Sequence, residues 1–267
     1  MSFSINGKTA IVTGAAHGVG QAIARHLAEA GANVMFADMD EKALKKEVGA
    51  DATDDSNMRL FAGDLREKLT IANLLSATLD AFDQVDILVN AARQVTTTNA
   101  LDPDDDTMGM MLNQNLLATL KLSQHVARRM IKQGKDSDRA CIGKIVNLTS
   151  IAAKVTRPEL MAYSISCAGL NQMTRSLAVA LAPERIRVNA IAFGSVMSSS
   201  LQDRIKDNEE YRDQIMAQTP LGRIAPPREV AEAVQFLASD SSSFITGDIL
   251  TVDGGRSLLD PVVAPAH

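Results

Sequence analysis

The sequence predicts an α/β protein built on a doubly wound, seven-stranded parallel sheet with helices on both faces. Three observations predict it. Seven short apolar or β-branched runs recur along the chain: TAIVTG, ANVMFAD, MRLFAGD, VDILVNAA, GKIVNLTS, IRVNAIAFG and DILTVDGG. Near-continuous apolar strands are what a sheet covered on both faces requires. Longer segments of helical period separate the runs, and that alternation gives a parallel sheet. The chain has 267 residues, 46% of them hydrophobic, so one large core is affordable and a single domain over residues 1–267 is expected.

The elements follow in order. After the first strand, residues 18–30 read as a helix with apolar positions at Val19, Ile23, Leu27 and Ala28 and a stop at Gly31. NLLATLKLSQHVARRMIKQG ends in basic residues and a glycine, which suits the negative end of a helix dipole. SCAGLNQMTRSLAVALAPERIR reads as helical up to Pro183. Both long helices are apolar over a broad face, so they are expected to bury surface in an oligomer as well as on the sheet.

Two stretches break the alternation. TTTNALDPDDDT is a polar loop whose acids read as a solvated helix start, and it is assigned no metal, because one short loop rarely closes a coordination shell. MSSSLQDRIKDNEEYRDQIMAQTPLGRIAPP carries two short helical pieces. An insertion at the C-terminal ends of the strands suits a lid, residues 197–220. The final SLLDPVVAPAH, apolar with two prolines, is expected to pack across a subunit boundary.

Composition excludes several classes. A net charge of −5 gives no general attraction to nucleic acid or anionic membrane. With no tryptophan and two tyrosines, base-stacking platforms are not expected. No apolar run approaches the roughly twenty residues of a spanning helix, and the N-terminus does not read as a secretory signal. Cys141 and Cys167, the two cysteines, are too few for a disulfide framework and suit a reducing, cytoplasmic location.

The chemistry begins in the turn after the first strand, Gly14-Ala-Ala-His17-Gly18-Val19-Gly20. Glycines there let the backbone approach a pyrophosphate, whose charge sits on the helix N-terminus. Alone, such a triplet also marks an ordinary tight turn. Asp38 closes the second strand about twenty residues on, where a carboxylate accepts hydrogen bonds from an adenosine ribose and repels a 2′-phosphate. Alone, Asp38 also reads as a helix N-cap. No arginine or lysine follows it immediately, and His17 sits in the loop where a cation would help a phosphate. NAD is favoured over NADP.

With these residues the chain resembles the short-chain dehydrogenase/reductase family over nearly its whole length. The glycines have that family's three-then-one spacing. Further matches fall in the family's order: Asp64 in AGDL; Asn90-Ala91-Ala92, where the family has Asn-Ala-Gly; Asn115 in NQNLL; Ser150; Tyr163; FGSV from Phe193, where the family has Pro-Gly; and the late VDGG. The resemblance implies a Rossmann-like fold, a homotetramer, and hydride transfer between NAD(H) and a secondary alcohol or ketone. It implies cofactor contacts from Gly14, His17, Gly18, Val19, Gly20, Asp38, Met39, Asp64 (on the adenine), Leu65, Asn90, Ala91, Tyr163, Cys167, Gly194, Val196 and Ser198. The substrate would meet Gln94, Ser150, Ala152, Leu160, Tyr163 and Met197. Tyr163 would exchange a proton with the substrate oxygen, a role the phenol supports independently. Ser150, thirteen residues earlier, would hydrogen-bond the same oxygen, and Asn115 would hold a bent helix and a water. The rival class is a non-catalytic NAD-binding or assembly protein on the same frame.

One position departs from the pattern. Four residues after the tyrosine the family has a lysine that donates to the nicotinamide ribose and lowers the phenol pKa; this chain has Cys167. A thiol is a weak donor with no positive charge. If the lysine is worth about two pKa units, its loss is about 3 kcal/mol at proton transfer, so impaired activity is expected. Three readings stand: a lysine recently or deliberately replaced, a natural enzyme with altered activity, or a working thiol. The first is favoured, because Tyr163, Ser150, Asn115, Asp38 and the glycines all persist and lysine and cysteine codons differ at every base. Substrate identity is not legible. Arg93, Gln94 and Val95, then Ile151, Ala152, Arg157 and Leu160, then Met197 and Leu201 are the candidate walls, with Arg93 and Arg157 read as solvent-facing.

Overall fold

Successive side chains on a strand point to opposite faces, so each apolar run feeds two helical layers at once. The computed structural model describes residues 3–53, 55–208 and 210–260. In it the seven runs form β1 (Thr9–Thr13), β2 (Asn33–Asp38), β3 (Met58–Ala62), β4 (Ile87–Asn90), β5 (Gly143–Ser150), β6 (Ile186–Phe193) and β7 (Ile249–Val252). They make one sheet of order β3-β2-β1-β4-β5-β6-β7 with every pairing parallel. The order reverses direction between β1 and β4, and ligands of such sheets bind in the crevice at that point.

The helices are α1 (Gly18–Glu29), α2 (Glu41–Val48), α3 (Lys68–Phe82), α4 (Thr107–Met111), α5 (Ala118–Gln133), α6 (Met161–Leu181), α7 (Ser199–Asp207), α8 (Glu210–Ala217) and α9 (Pro227–Ala238). Ala10, Val12, Val34 and Phe36 pack on one face with Ile23 and Leu27 of α1, Leu44 of α2 and Val234 of α9. Ile11, Met35 and Leu88 pack on the other with Leu74 of α3, Leu122 and Val126 of α5 and Ala178 of α6. Full burial of such side chains is worth about 1.5–3 kcal/mol each, which explains why strands reading as continuous apolar runs sit at the centre.

Between α4 and α5 the chain passes through a π-type stretch, Leu112–Leu117, that contains Asn115. Helix α6 starts at Met161 and so takes in the tyrosine: Tyr163, Ser166, Cys167, Leu170, Thr174 and Ala178 all lie on its buried face. The acidic loop is a helix start, since Asp105 accepts from Asn99 N at 2.6 Å and Thr107 N at 2.8 Å. Ser198 caps α7, accepting from Leu201 N at 3.4 Å. The expected docking of SLLDPVVAPAH falls mainly on residues 261–267, outside the described residues. Among the described residues no helix is long and apolar enough to cross a membrane.

A buried polar chain braces the middle of the sheet. Asn90 Nδ2 donates to Asn147 Oδ1 at 2.8 Å and to Ser123 Oγ at 3.0 Å, and Asn147 Nδ2 donates to Thr174 Oγ1 at 2.9 Å. These bonds join β4 and β5 to α5 and α6. Removing Asn147 takes one buried partner each from the Asn90 amide, which keeps Ser123, and from the Thr174 hydroxyl, which keeps Leu170 O, so Asn147→Ala is expected to cost about 1–3 kcal/mol. Urea titration should show a lower midpoint at an unchanged m-value.

Candidate active site

The loop after β1 is shaped by backbone contact. Gly14 and Gly18 have φ of +66° and +55°, a region that costs a side chain strain. A Cβ on Gly14 would lie 2.8 Å from the Ala92 backbone, and one on Gly20 would strike the Gly14 carbonyl. Thr13 closes the arrangement: its Oγ1 accepts from Ala91 N and Ala92 N, each at 3.0 Å. The loops after β1 and β4 are thereby held together at the sheet's reversal point.

Beside them lies a cleft of about 390 Å³. Its floor is the glycine loop, with Gly14, His17, Gly18, Val19 and Gly20. Asp38, Met39, Asp64 and Leu65 line one end, Ala91, Arg93 and Gln94 the other, and Ser198 the lid side. Asp38 is tied onto the glycine loop and is not a helix cap: its Oδ2 accepts from Ala16 N and its Oδ1 from Asp40 N, both at 3.1 Å. Asp40 is the residue that caps α2. Three features fit a dinucleotide. The glycines leave the backbone bare for a pyrophosphate, the Asp38 carboxylate lines the same cleft where a ribose hydroxyl could donate to it, and the buried Gln114 Oε1 on the wall has no hydrogen-bond partner among the described residues.

Tyr163 and Cys167 sit one turn apart on α6, each 4% exposed. Ala152 and Leu160 pack around them with Met111, and Ser150, the last residue of β5, lies in register with Phe193 of β6. The Tyr163 hydroxyl accepts from Arg93 Nη1 at 2.8 Å. The Arg93 guanidinium carbon stands 4.2 Å from the centre of the Phe193 ring. Burial pushes the Tyr163 phenol pKa up, and the Cys167 thiol pushes it the same way; the Arg93 charge and a hydrogen bond with Ser150 oppose them. Burial also pushes the Cys167 thiol up, so at neutral pH it is a protonated, poorly nucleophilic group. Asn115 is fixed at both ends: its Oδ1 accepts from Gln94 N at 2.9 Å, and its Nδ2 donates to Gln94 O at 3.0 Å and Ser166 Oγ at 3.2 Å.

Several of the expected contact residues have side chains already engaged with protein partners. The Asn90 side chain is spent on the buried chain described above, because its β4 position turns it into the core instead of the cleft. Val196 is buried with the α1 side of the core and pairs with Ala225, so its side chain is packing. Gly194 abuts Asp253, where a Cβ would lie 3.0 Å from the aspartate side chain. Met197 borders a separate hollow against α1 and does not meet Tyr163. Asp64 is clasped by Arg66, with Nη2 to Oδ2 at 2.6 Å, and His17 Nε2 pairs with Asp40 Oδ2 at 3.1 Å. An adenine or a phosphate at these positions would share those partners.

Arg93 corrects the reading of both arginines as solvent-facing: it points inward to the phenol, while exposed Arg157 pairs with Glu159 at 3.3 Å. Sequence spacing could not reveal this, since Arg93 and Tyr163 are seventy positions apart. Gln114 and Arg204 on the cleft wall were also missed, having no motif. A second hollow of about 570 Å³ beside β7 holds neither Tyr163 nor any glycine-loop residue.

A glycine loop at the reversal point of a parallel sheet, with a buried tyrosine and a serine held nearby through Arg93, defines a nicotinamide-dinucleotide oxidoreductase. Residues 14–257 match the family model described as Enoyl-(Acyl carrier protein) reductase, and the chain belongs to the short-chain dehydrogenase/reductase family, whose enzymes depend on NAD(P). It is 36% identical over 255 residues to the 3-oxoacyl-[acyl-carrier-protein] reductase FabG of Rickettsia prowazekii, covering 96% of this chain and 99% of that protein. It is 34% identical over 266 residues to the oxidoreductase UcpA of Salmonella typhimurium, 97% of each chain. Among solved structures, a candidate gluconate dehydrogenase of Agrobacterium tumefaciens superposes with a TM-score of 0.88 at 29% identity, over 97% of this chain and 100% of that one. A 7α-hydroxysteroid dehydrogenase complexed with NADH and 7-oxoglycochenodeoxycholic acid superposes at 0.86 and 30% identity, over 95% and 96%.

The raised thiol pKa gives a direct check. At pH 8 a thiol reagent should label half-buried Cys141 first and Cys167 at least about tenfold more slowly, because the thiolate is the reactive form. Cys141→Ser isolates the slow site, and raising the pH should speed it; equal rates at both cysteines would contradict the burial argument.

Proposed function

We propose that the protein transfers a hydride between NAD(H) and a secondary alcohol or ketone, with Tyr163 as acid and base. The observation that carries this reading is the convergence of the Ser150 hydroxyl and the Arg93 guanidinium on the Tyr163 hydroxyl, with Arg93 also lining the glycine-loop cleft. The nicotinamide supplies the hydride chemistry that no side chain here has. The residues do the rest. In alcohol oxidation the Tyr163 phenolate takes the hydroxyl proton, and in ketone reduction the phenol returns it. Ser150 hydrogen-bonds the reacting oxygen and so fixes which carbon faces the cofactor. Asn115, clamped to the Gln94 backbone, holds the wall on the substrate's side.

Asp38 supports NAD over NADP: its carboxylate, with Asp40 two residues on, makes a 2′-phosphate unfavourable. The NADH complex of the hydroxysteroid dehydrogenase is consistent with that choice. A lid over residues 197–220, including α7 and α8, would cover the cleft, since Ser198 and Arg204 border it. A homotetramer in the cytoplasm completes the reading. Impairment by Cys167 then lies chiefly in anchoring the nicotinamide ribose, where a thiol is a weak donor.

The acyl-carrier-protein reductase relative makes a 3-oxoacyl thioester the ketone to try beside simple ones. A panel of secondary alcohols, ketones and such a thioester, followed by NADH absorbance, tests the proposal. Turnover is expected with at least one class, and Tyr163→Phe should lower kcat by about 10²–10⁴-fold while NADH still binds. Undiminished turnover in Tyr163→Phe would remove Tyr163 from the role. Binding without any turnover would favour a non-catalytic NAD-binding protein.

A further inference from the structure

We propose that Arg93 supplies, from the loop after β4, the positive charge beside the Tyr163 hydroxyl that Cys167 cannot supply from α6. This rests on the Tyr163 role above and adds the residue that makes the phenol usable. Arg93 is a positioning residue acting through Tyr163.

Three observations carry it. The contact is direct, with Nη1 donating to the phenol oxygen at 2.8 Å. The guanidinium is held from its other side by the Phe193 ring at 4.2 Å, and such a stack gains strength where water is excluded. The backbone carrying Arg93 is fixed on both sides: Ala91 N and Ala92 N bond Thr13 Oγ1 before it, and Gln94 N and O bond the Asn115 amide after it. The side chain therefore has a fixed root, an aromatic rest and a polar target. Arg93, Tyr163 and Cys167 also border one residual cavity of only about 10 Å³, so little open space is left where they meet.

The surroundings leave the charge little competition. From α6 the phenol is faced by Cys167, from the end of β5 by Ser150, and from the loop after β4 by Arg93. Met108, Met111, Ala152, Ala153 and Leu160 pack in its apolar cluster, and the uncharged Asn90, Asn115 and Thr119 border the same small cavity. Among the described residues Arg93 is thus the one cation acting on the phenol. A guanidinium stays charged at every working pH. When the phenol gives its proton to solvent or substrate, the hydrogen bond from the Arg93 guanidinium becomes an ion pair with the phenolate, which is stronger. The arrangement favours the second of the three readings of Cys167, a natural enzyme whose cation comes from another element.

The test is tyrosine titration by ultraviolet difference absorbance. With two tyrosines and no tryptophan in the chain, the signal reads only Tyr163 and half-exposed Tyr211, and Tyr163→Phe assigns them. Arg93→Met is expected to move the Tyr163 titration up by about 1–3 pH units, with the ascending, acid-side limb of the alcohol-oxidation profile moving up alongside, since that step needs the phenolate. Arg93→Lys should keep most of the effect, and Cys167→Lys placed on Arg93→Met should bring the titration back by at least about one unit. An unmoved Tyr163 titration in Arg93→Met, with Arg93→Lys equally silent, would overturn the assignment. So would an Arg93→Met protein that binds NADH more tightly and turns over faster, since Arg93 would then be a plug at the inner end of the cleft. Absence of turnover in every variant, with the phenol still shifting, would overturn the dehydrogenase reading and leave the Arg93 assignment standing.

Discussion

Two backbone N–H groups converging on the hydroxyl of Thr13 hold the site in shape. They clamp the loop after β4 against the loop after β1, and the approach is so close that only a glycine fits at position 14. A parallel sheet whose order reverses between these two strands opens a crevice there whatever its sequence. The clamp decides what faces it: bare backbone at Gly14 on one side and, one residue beyond Ala92, the root of Arg93 on the other. The glycine floor of the cleft and the root of Arg93 depend on the same few contacts.

Behind that crevice the polar groups divide into two kinds. Asn90, Asn147, Ser123 and Thr174 satisfy one another inside the core, so they brace the strands without reaching the cleft. Tyr163, Ser150 and Arg93 instead meet around the phenol oxygen, and Arg93 also lines the crevice. A phenol buried this deeply resists ionisation, and a neutral thiol one turn away does nothing to ease it. The burden falls on a cation that arrives from a different strand.

Much of this was legible in the sequence. The seven apolar runs became the seven strands because a doubly covered strand has no polar face to obscure its pattern, and Gly31 and Pro183 marked helix ends as their backbone chemistry requires. The glycine loop, Asp38 and Tyr163 were legible because each is a local motif on a known element. The orientation of Arg93 was not, since it depends on where a loop is clamped and on an aromatic ring a hundred positions away at Phe193. The side-chain directions of Asn90 and Val196 were not legible for the converse reason. They stand within motifs that border the cleft, but strand geometry and core packing turn their side chains away from it.

The central claim is that the crevice clamped by Thr13 is a dinucleotide site read by Asp38. Calorimetric titration of NADH and NADPH into the unmodified protein and into Asp38→Ala tests it most directly. The account predicts that NADH binds the unmodified protein more tightly than NADPH and that Asp38→Ala narrows or reverses the difference. Failure of either dinucleotide to bind, or a preference for NADPH that Asp38→Ala leaves unchanged, would contradict it.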